Sequence, residues 1–188
     1  RAKQKGLKVT GHIPLSMDVI TASNAGLHSM EHMRNIELST ATNVEELLAQ
    51  RRQLLFDGQN DPGSVLRSRI HDAQRYAAVR NQDADQTQKV IQALARNNTW
   101  QNPTLTLAFA SVERPFERPD WQASFEYLPT KVKDNWKESV ATYAATTITE
   151  DRKIYREWFM DIAYQLHQGG VTLMSGTDTP IFFLTPGL

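Results

Sequence analysis

Gly170-Val-Thr-Leu-Met-Ser-Gly-Thr-Asp-Thr-Pro180 is the stretch whose reading decides the fold. Val171 to Ser175 is a short, mostly apolar run with β-branched members, entered through Gly169-Gly170. It reads as a buried strand. The run ends in a tight polar loop, Gly176 to Pro180, which puts Asp178 just past the strand end. An acid at that position is where α/β barrels and open α/β sheets keep their chemistry. Two histidines occupy the same kind of position earlier. His12 ends Leu7-Lys-Val-Thr-Gly-His12, and His32 ends Leu27-His-Ser-Met-Glu-His32. The expectation is that these strand ends converge and that Asp178, His12 and His32 share one site.

Working outward, the segments between these strands read as helices. Ser16 is the expected N-cap of a helix through Val19, Ile20 and Ala22 that stops near Asn24 to Gly26. Strand, short helix and strand make a βαβ unit, which implies a parallel sheet with a right-handed crossover. Thr42-Asn-Val-Glu45 spells a capping box for a helix through Leu47, Leu48 and Leu54. Ser64 is the expected cap of the next helix, with Val65, Leu66, Ile70, Ala73 and Ala77 at helical spacing. Gln86 to Arg96 carries Val90, Ile91, Leu94 and Ala95 on one face. Thr99 to Leu107 reads as a further strand, bent at Pro103 or starting late at Thr104. Glu113 to Pro119 reads as a charged loop, Lys131 to Ala145 as a helix, and Thr149 caps a helix with an Ile154, Tyr155, Trp158, Phe159, Ile162, Ala163, Leu166 stripe. The gaps after His32 and after Leu107 hold roughly sixty residues each, about double the ~30-residue repeat of a simple (β/α)8 barrel. They read as helical insertions near 42–98 and 111–148 in one domain over 1–188.

Composition narrows the function classes. The 188 residues are 40% hydrophobic and 22% charged, within the globular range and enough for a real core. Lys+Arg and Asp+Glu both number 21, and no basic block stands out, which argues against nucleic acid as a partner. The apolar runs are too short to span a bilayer as a helix. With no Cys there is no disulfide framework, thiolate metal site or Cys nucleophile. That absence slightly favours a reducing compartment such as the cytoplasm and does not exclude export. Arg1 to Lys5 reads as the last basic turn of a helix closed by Gly6, and Pro186-Gly187-Leu188 follows directly on a motif loop. Both ends read as cuts through a longer protein.

Imidazole nitrogens and carboxylate oxygens suit Zn2+ and similar divalent ions, and three such ligands leave a position open for water. Here the residues resemble a family. Gly11-His12 after one strand, Ser29-Met-Glu-His32 after a second and Ser175-Gly-Thr-Asp-Thr-Pro180 after a last one look like the metal-dependent amidohydrolase superfamily, in its imidazolonepropionase-like and prolidase-like branch. The resemblance implies an α/β fold, the C-terminal portion of a (β/α)8 TIM-type barrel, with strands five to eight represented here and Thr99 to Leu107 as the seventh. It implies that His12, His32 and Asp178 bind one or two divalent metal ions, with zinc the expected metal. His32 faces substrate instead in one-metal members, and Asp178 is the general acid/base. The implied reaction is hydrolysis of a C–N bond in a cyclic amide, imide or dipeptide-like small molecule. The family opens on a His-x-His pair, and many members add a carboxylated Lys. No His-x-His occurs in these residues, so the resemblance puts those elements before Arg1.

Plainer readings stand beside these. His12 is readable as a structural strand-end histidine and Asp178 as an Asx-turn residue. His28, four residues before His32, lies about 13 Å deeper on a strand and reads as packing. His28-Ser-Met-Glu-His32 also spells the inverted zinc-protease pattern, which requires a helix over 28–32. His71 and His167 read as solvated helix residues, and Glu31 as a packing or supporting residue on the opposite strand face. Arg114, Arg118 and Tyr127 read as surface residues or as substrate contacts in the insertion. The rival function is a non-catalytic, truncated or divergent barrel domain kept for binding or assembly. A half-barrel has open sheet edges, so homo-oligomerisation is expected of it.

Overall fold

The computed structural model describes residues 1–182 and 184, and the terminal Pro186-Gly187-Leu188 lies outside them. The described chain is mixed α/β, mostly helical. It divides into two compact units, residues 1–103 with 161–175 and residues 104–160 with 176–188.

The first unit opens with β1 (Thr10–Gly11), α1 (Val19–Asn24) and β2 (Ser29–Glu31). The helices α2 (Ile36–Ser39), α3 (Val44–Asp57), α4 (Gly63–Arg80) and α5 (Ala84–Arg96) then lead to β3 (Trp100–Asn102). The strands form a parallel sheet in the order β1-β2-β3. Beyond β3, Leu173 makes a parallel bridge with Gln101. The Gln101 N–H donates to Thr172 O at 2.9 Å, and the Met174 N–H donates to Gln101 O at 2.8 Å. The four expected strand regions therefore lie side by side in chain order.

The paired lengths are shorter than the sequence runs suggest. Leu7 and Val9 are exposed, and pairing in β1 is confined to Thr10 and Gly11. Val9 meets His28 instead: its N–H donates to His28 Nδ1 at 3.0 Å, and its carbonyl accepts from the His28 N–H at 2.8 Å. His28 is thus a half-buried packing residue, as expected. Because 29–31 is a strand, the helical zinc-protease reading of 28–32 falls.

The longest expected strand needs the largest correction. It ends at Asn102, and Leu105–Glu113 is a helix, so no strand starts at Thr104. Pro103 has no N–H to donate to a ladder, and Thr104 sits at φ 47°, turning the chain out of the sheet. The apolar run that follows fits helix or strand equally by pattern, and length together with the preceding turn decides for helix.

Three helix starts also differ from the reading. Asp18, not Ser16, caps α1, accepting from the Thr21 N–H at 2.8 Å. Pro62 occupies the cap position of α4, two residues before the expected cap Ser64, in an extended conformation. The Thr42 capping box is not made, and Asn43 precedes α3 without a side-chain cap bond. Thr42 is engaged elsewhere: its N–H donates to Asn81 O at 2.9 Å, beside an antiparallel bridge between Ala41 and Gln82. Where the sequence signal is strongest the outcome agrees. In α5, Asp83 accepts from the Gln86 N–H at 2.6 Å, and Thr87, Val90, Ile91 and Leu94 are buried.

The second unit contains α6 (Leu105–Glu113), α7 (Pro119–Ala123), α8 (Thr130–Ala144) and the first part of α9 (Glu150–Gln168). Its core is aromatic. Phe116, Phe125 and Val140 are buried, with Trp121, Leu128, Trp136, Tyr143 and Phe182 packed on them. Phe116 meets Tyr143 and Phe182 edge-on at 5.4 and 5.3 Å, a geometry favoured by the ring quadrupoles. Arg114 is not a surface residue. It is buried, and its guanidinium donates to Thr146 O at 2.7 Å and Thr146 Oγ1 at 3.0 Å, tying down the end of α8. Arg118 pairs with Asp120 at the surface, and Tyr127 is 92% exposed. The cap of α9 is as expected, with the Arg152 N–H donating to Thr149 Oγ1 at 3.3 Å. Among the described residues, no helix is long and apolar enough to cross a membrane.

Candidate functional site

The chemistry-bearing residues of the first unit gather past the C-terminal ends of β1 and β2. Gly11 is paired with Met30, so the residues that follow each strand leave the sheet together. His12 and His32 are brought side by side, with ring centroids 4.9 Å apart and planes inclined by 38°. His12 is exposed and His32 is buried. Twenty residues of sequence separate them, and parallel pairing removes that separation.

His32 is fastened on both sides of its peptide unit. Its N–H donates to Asn102 O at 2.9 Å, and its carbonyl accepts from Gln101 Nε2 at 2.6 Å. Its φ is +59°, a left-handed conformation that few non-glycine residues adopt. Such conformations persist where surrounding bonds over-determine them, and they cluster at functional sites. Asp178 also has a left-handed backbone, at φ +63°. It lies in the second unit, exposed, in the loop after the Leu173 bridge, where the sequence expected a strand-end acid. Among the described residues, no group of three or more His, Asp or Glu side chains is arranged to hold a metal ion.

Glu31 stands on the other strand face and ties the sheet laterally. It accepts from Thr10 Oγ1 at 3.3 Å and from Asn102 Nδ2 at 2.8 Å.

Behind the histidines lies a buried polar network that sequence reasoning missed. Asn35, just after β2, donates through Nδ2 to Pro14 O and Met17 O, both at 3.0 Å. Its Oδ1 accepts from Arg51 Nη1 at 2.7 Å, and Arg51 Nε donates to Gln74 Oε1 at 2.8 Å. Glu37 and His71 complete the group, with Glu37 Oε1 3.8 Å from His71 Nδ1. His71 was expected to be solvated, and it is buried. Burial, then the charges of Arg75, Arg51 and Arg34, pushes its pKa from the ordinary 6.5 to about 3. Burial likewise raises the Glu37 carboxyl, and Arg75 and Arg51 partly offset that. A signal for this network existed. Arg51 follows Leu47 and Leu48 at helical spacing, and Gln74 follows Leu66 and Ile70. A polar residue on an apolar stripe marks a buried partner.

Fold and paired histidines together define an α/β domain with a polar site at the C-terminal ends of adjacent parallel strands. Among solved structures, the chain is similar to one titled AH, Bottromycin amidohydrolase, with a TM-score of 0.59 and 21% identity. The match covers 97% of this chain and 34% of that one, so the chain spans about a third of the length of its solved neighbour. At that identity the likeness is one of fold. No protein-family model matches the chain, and no curated protein does.

Proposed function

We propose that residues 1–188 form the C-terminal part of a (β/α)8 barrel of metal-dependent amidohydrolase type. Its reaction is hydrolysis of a C–N bond in a cyclic amide, imide or dipeptide-like small molecule. The observation that carries this reading is the His12/His32 pair, 4.9 Å apart at the ends of two adjacent parallel strands. Two further observations support it: the strand regions stand in chain order, as consecutive barrel strands do, and the fold is like that of a solved amidohydrolase.

The donors present fit a divalent ion of the zinc type in part. Two adjacent imidazoles are the right ligands at the right kind of position, and a complete site needs further donors. In this reading Asp178 is one of them. When bound, a divalent ion acidifies its water and polarises the substrate carbonyl. The chain's own residues do the rest. His12 and His32 would hold the ion, or His32 would face the substrate if a single ion were used. Asp178 takes the proton from the attacking water and delivers it to the leaving nitrogen. Its backbone is left-handed, at φ +63°, a conformation that Asp tolerates better than most residues.

The test is turnover by the intact enzyme on a panel of cyclic imides and dipeptides, with metal content measured in parallel. Asp178→Asn should abolish turnover and leave the circular dichroism unchanged, and His12→Ala should lower bound metal. Near-normal turnover by Asp178→Asn would refute the assignment.

A further inference from the structure

The structure carries a device that bears on this same site, and the inference rests on the reading of His12 and His32 as its ligands. We infer that Asn35 is a positioning residue: its carboxamide locks the loop that carries His12 to the loop that carries His32, and Arg51 fixes the orientation of that lock.

Asn35 is 0% exposed, and each face of its amide is used. Both Nδ2 hydrogens go to the loop after β1, to Pro14 O and Met17 O at 3.0 Å each. Those carbonyls lie two and five residues beyond His12. Oδ1 accepts from the Arg51 guanidinium at 2.7 Å, a charge-assisted bond. Only one amide orientation satisfies two carbonyls and one guanidinium together, so Arg51 dictates which edge of Asn35 faces the His12 loop. A second strut runs in parallel. The Val19 N–H donates to Ser39 Oγ at 2.9 Å, and Ser39 Oγ donates to Asn35 O at 2.6 Å. The β1 loop is thus held at Pro14, Met17 and Val19 by the turn that begins three residues after His32. Asn35 itself sits at φ +69°, a conformation that Asn and Asp accept and most other side chains resist.

This chemistry selects the informative variant. Asn35→Asp keeps the left-handed preference, the size and the bond to Arg51. It replaces two donors with an acceptor aimed at two carbonyls, so it opens the lock without emptying the site. Ser39→Ala removes the second strut by a smaller change.

The experiment is NMR on the intact chain, uniformly labelled with 13C and 15N, combined with zinc competition titration and a thermal melt. In the wild type, through-hydrogen-bond couplings from Asn35 Nδ2 to the Pro14 and Met17 carbonyls should be present, and a ring-to-ring NOE should join His12 and His32. In Asn35→Asp the NOE should vanish and zinc affinity should fall about 10–100-fold, the range typical of lost outer-shell support. Ser39→Ala should show a smaller change in the same direction. A merely structural Asn35 would lower the melting temperature and leave the NOE and the affinity of the folded protein intact, and that result overturns the inference. Absence of the couplings in the wild type overturns it as well, without any variant. If Asn35→Asp does not fold, the wild-type couplings and the Ser39→Ala NOE decide. If wild type binds no zinc and the NOE still depends on Asn35, the lock stands and the metal reading fails.

Discussion

Acid should weaken the first unit through His71, and the size follows from its burial. Its pKa lies at about 3 in the folded chain against an ordinary 6.5. Between those values the unfolded chain binds a proton that the folded chain does not, so stability rises with pH across the window. The contribution is complete above pH 6.5 and is lost as pH falls toward 3. From pH 7.5 to 5 the loss comes to about 2 kcal/mol by linkage, or roughly 4–8 °C in melting temperature for a chain of this size. Glu37 acts in the opposite sense. Its carboxyl is raised by burial, so it holds its proton at higher pH when folded, and its share grows as pH falls. Comparing wild type with His71→Leu at each pH separates the two. Leu is close in volume, and among the described residues neither ring nitrogen of His71 has a hydrogen-bond partner to lose. Urea unfolding followed by circular dichroism should show a steep pH dependence between 5 and 7.5 in wild type and a flatter one in the variant. The His71 ring signals should stay unshifted over that range in NMR. Parallel slopes, or a His71 titration with a midpoint near 6.5, would refute the reasoning.

Three further outcomes follow from local geometry. Gly169→Ala should destabilise by about 1–3 kcal/mol, because its Cβ would stand 2.1 Å from Ile91 Cγ2; chemical denaturation of Gly169→Ala/Ile91→Ala should recover part of that loss. Arg114→Ala should cost about 2–3 kcal/mol, since it strands the Thr146 carbonyl and empties a guanidinium site 5.3 Å from the Tyr143 ring centroid; Arg114→Lys, lacking the fork, should recover little of it in the same melt. Asp83→Ala should cost about 1 kcal/mol through the lost cap of α5, and faster amide exchange at Gln86 should locate the effect.

The strand ends that carry His12 and His32 were legible in the sequence because each pairs a short β-prone run with a loop signal, whereas the buried strand expected over Val171 to Ser175 is reduced to a single bridge at Leu173, with Thr172 and Ser175 exposed. The amphipathic α5 and α9 were legible because their apolar spacing is strong over several turns. Local signals failed where two solutions compete on equal terms. Thr42 offers a capping hydroxyl, and its backbone pairs with Asn81 instead. Leu105 to Ala110 has no period that separates helix from strand, and the turn at Thr104 settles the matter.

The sequence by itself determined the alternation of strand and helix and the residue types at the strand ends, since these depend on neighbours a few positions apart. Only the tertiary structure decided that two imidazoles twenty residues apart stand 4.9 Å from one another. It alone decided that Asn35, Glu37, Arg51, His71 and Gln74 are buried together rather than solvated. Polar side chains lose hydration when buried and regain it only from partners. For Asn35 those partners are Pro14, Met17 and Arg51, brought within reach when β2 pairs beside β1 and α3 folds back over the turn. No local pattern encodes such a meeting, because its energy exists only after the long-range contacts have formed.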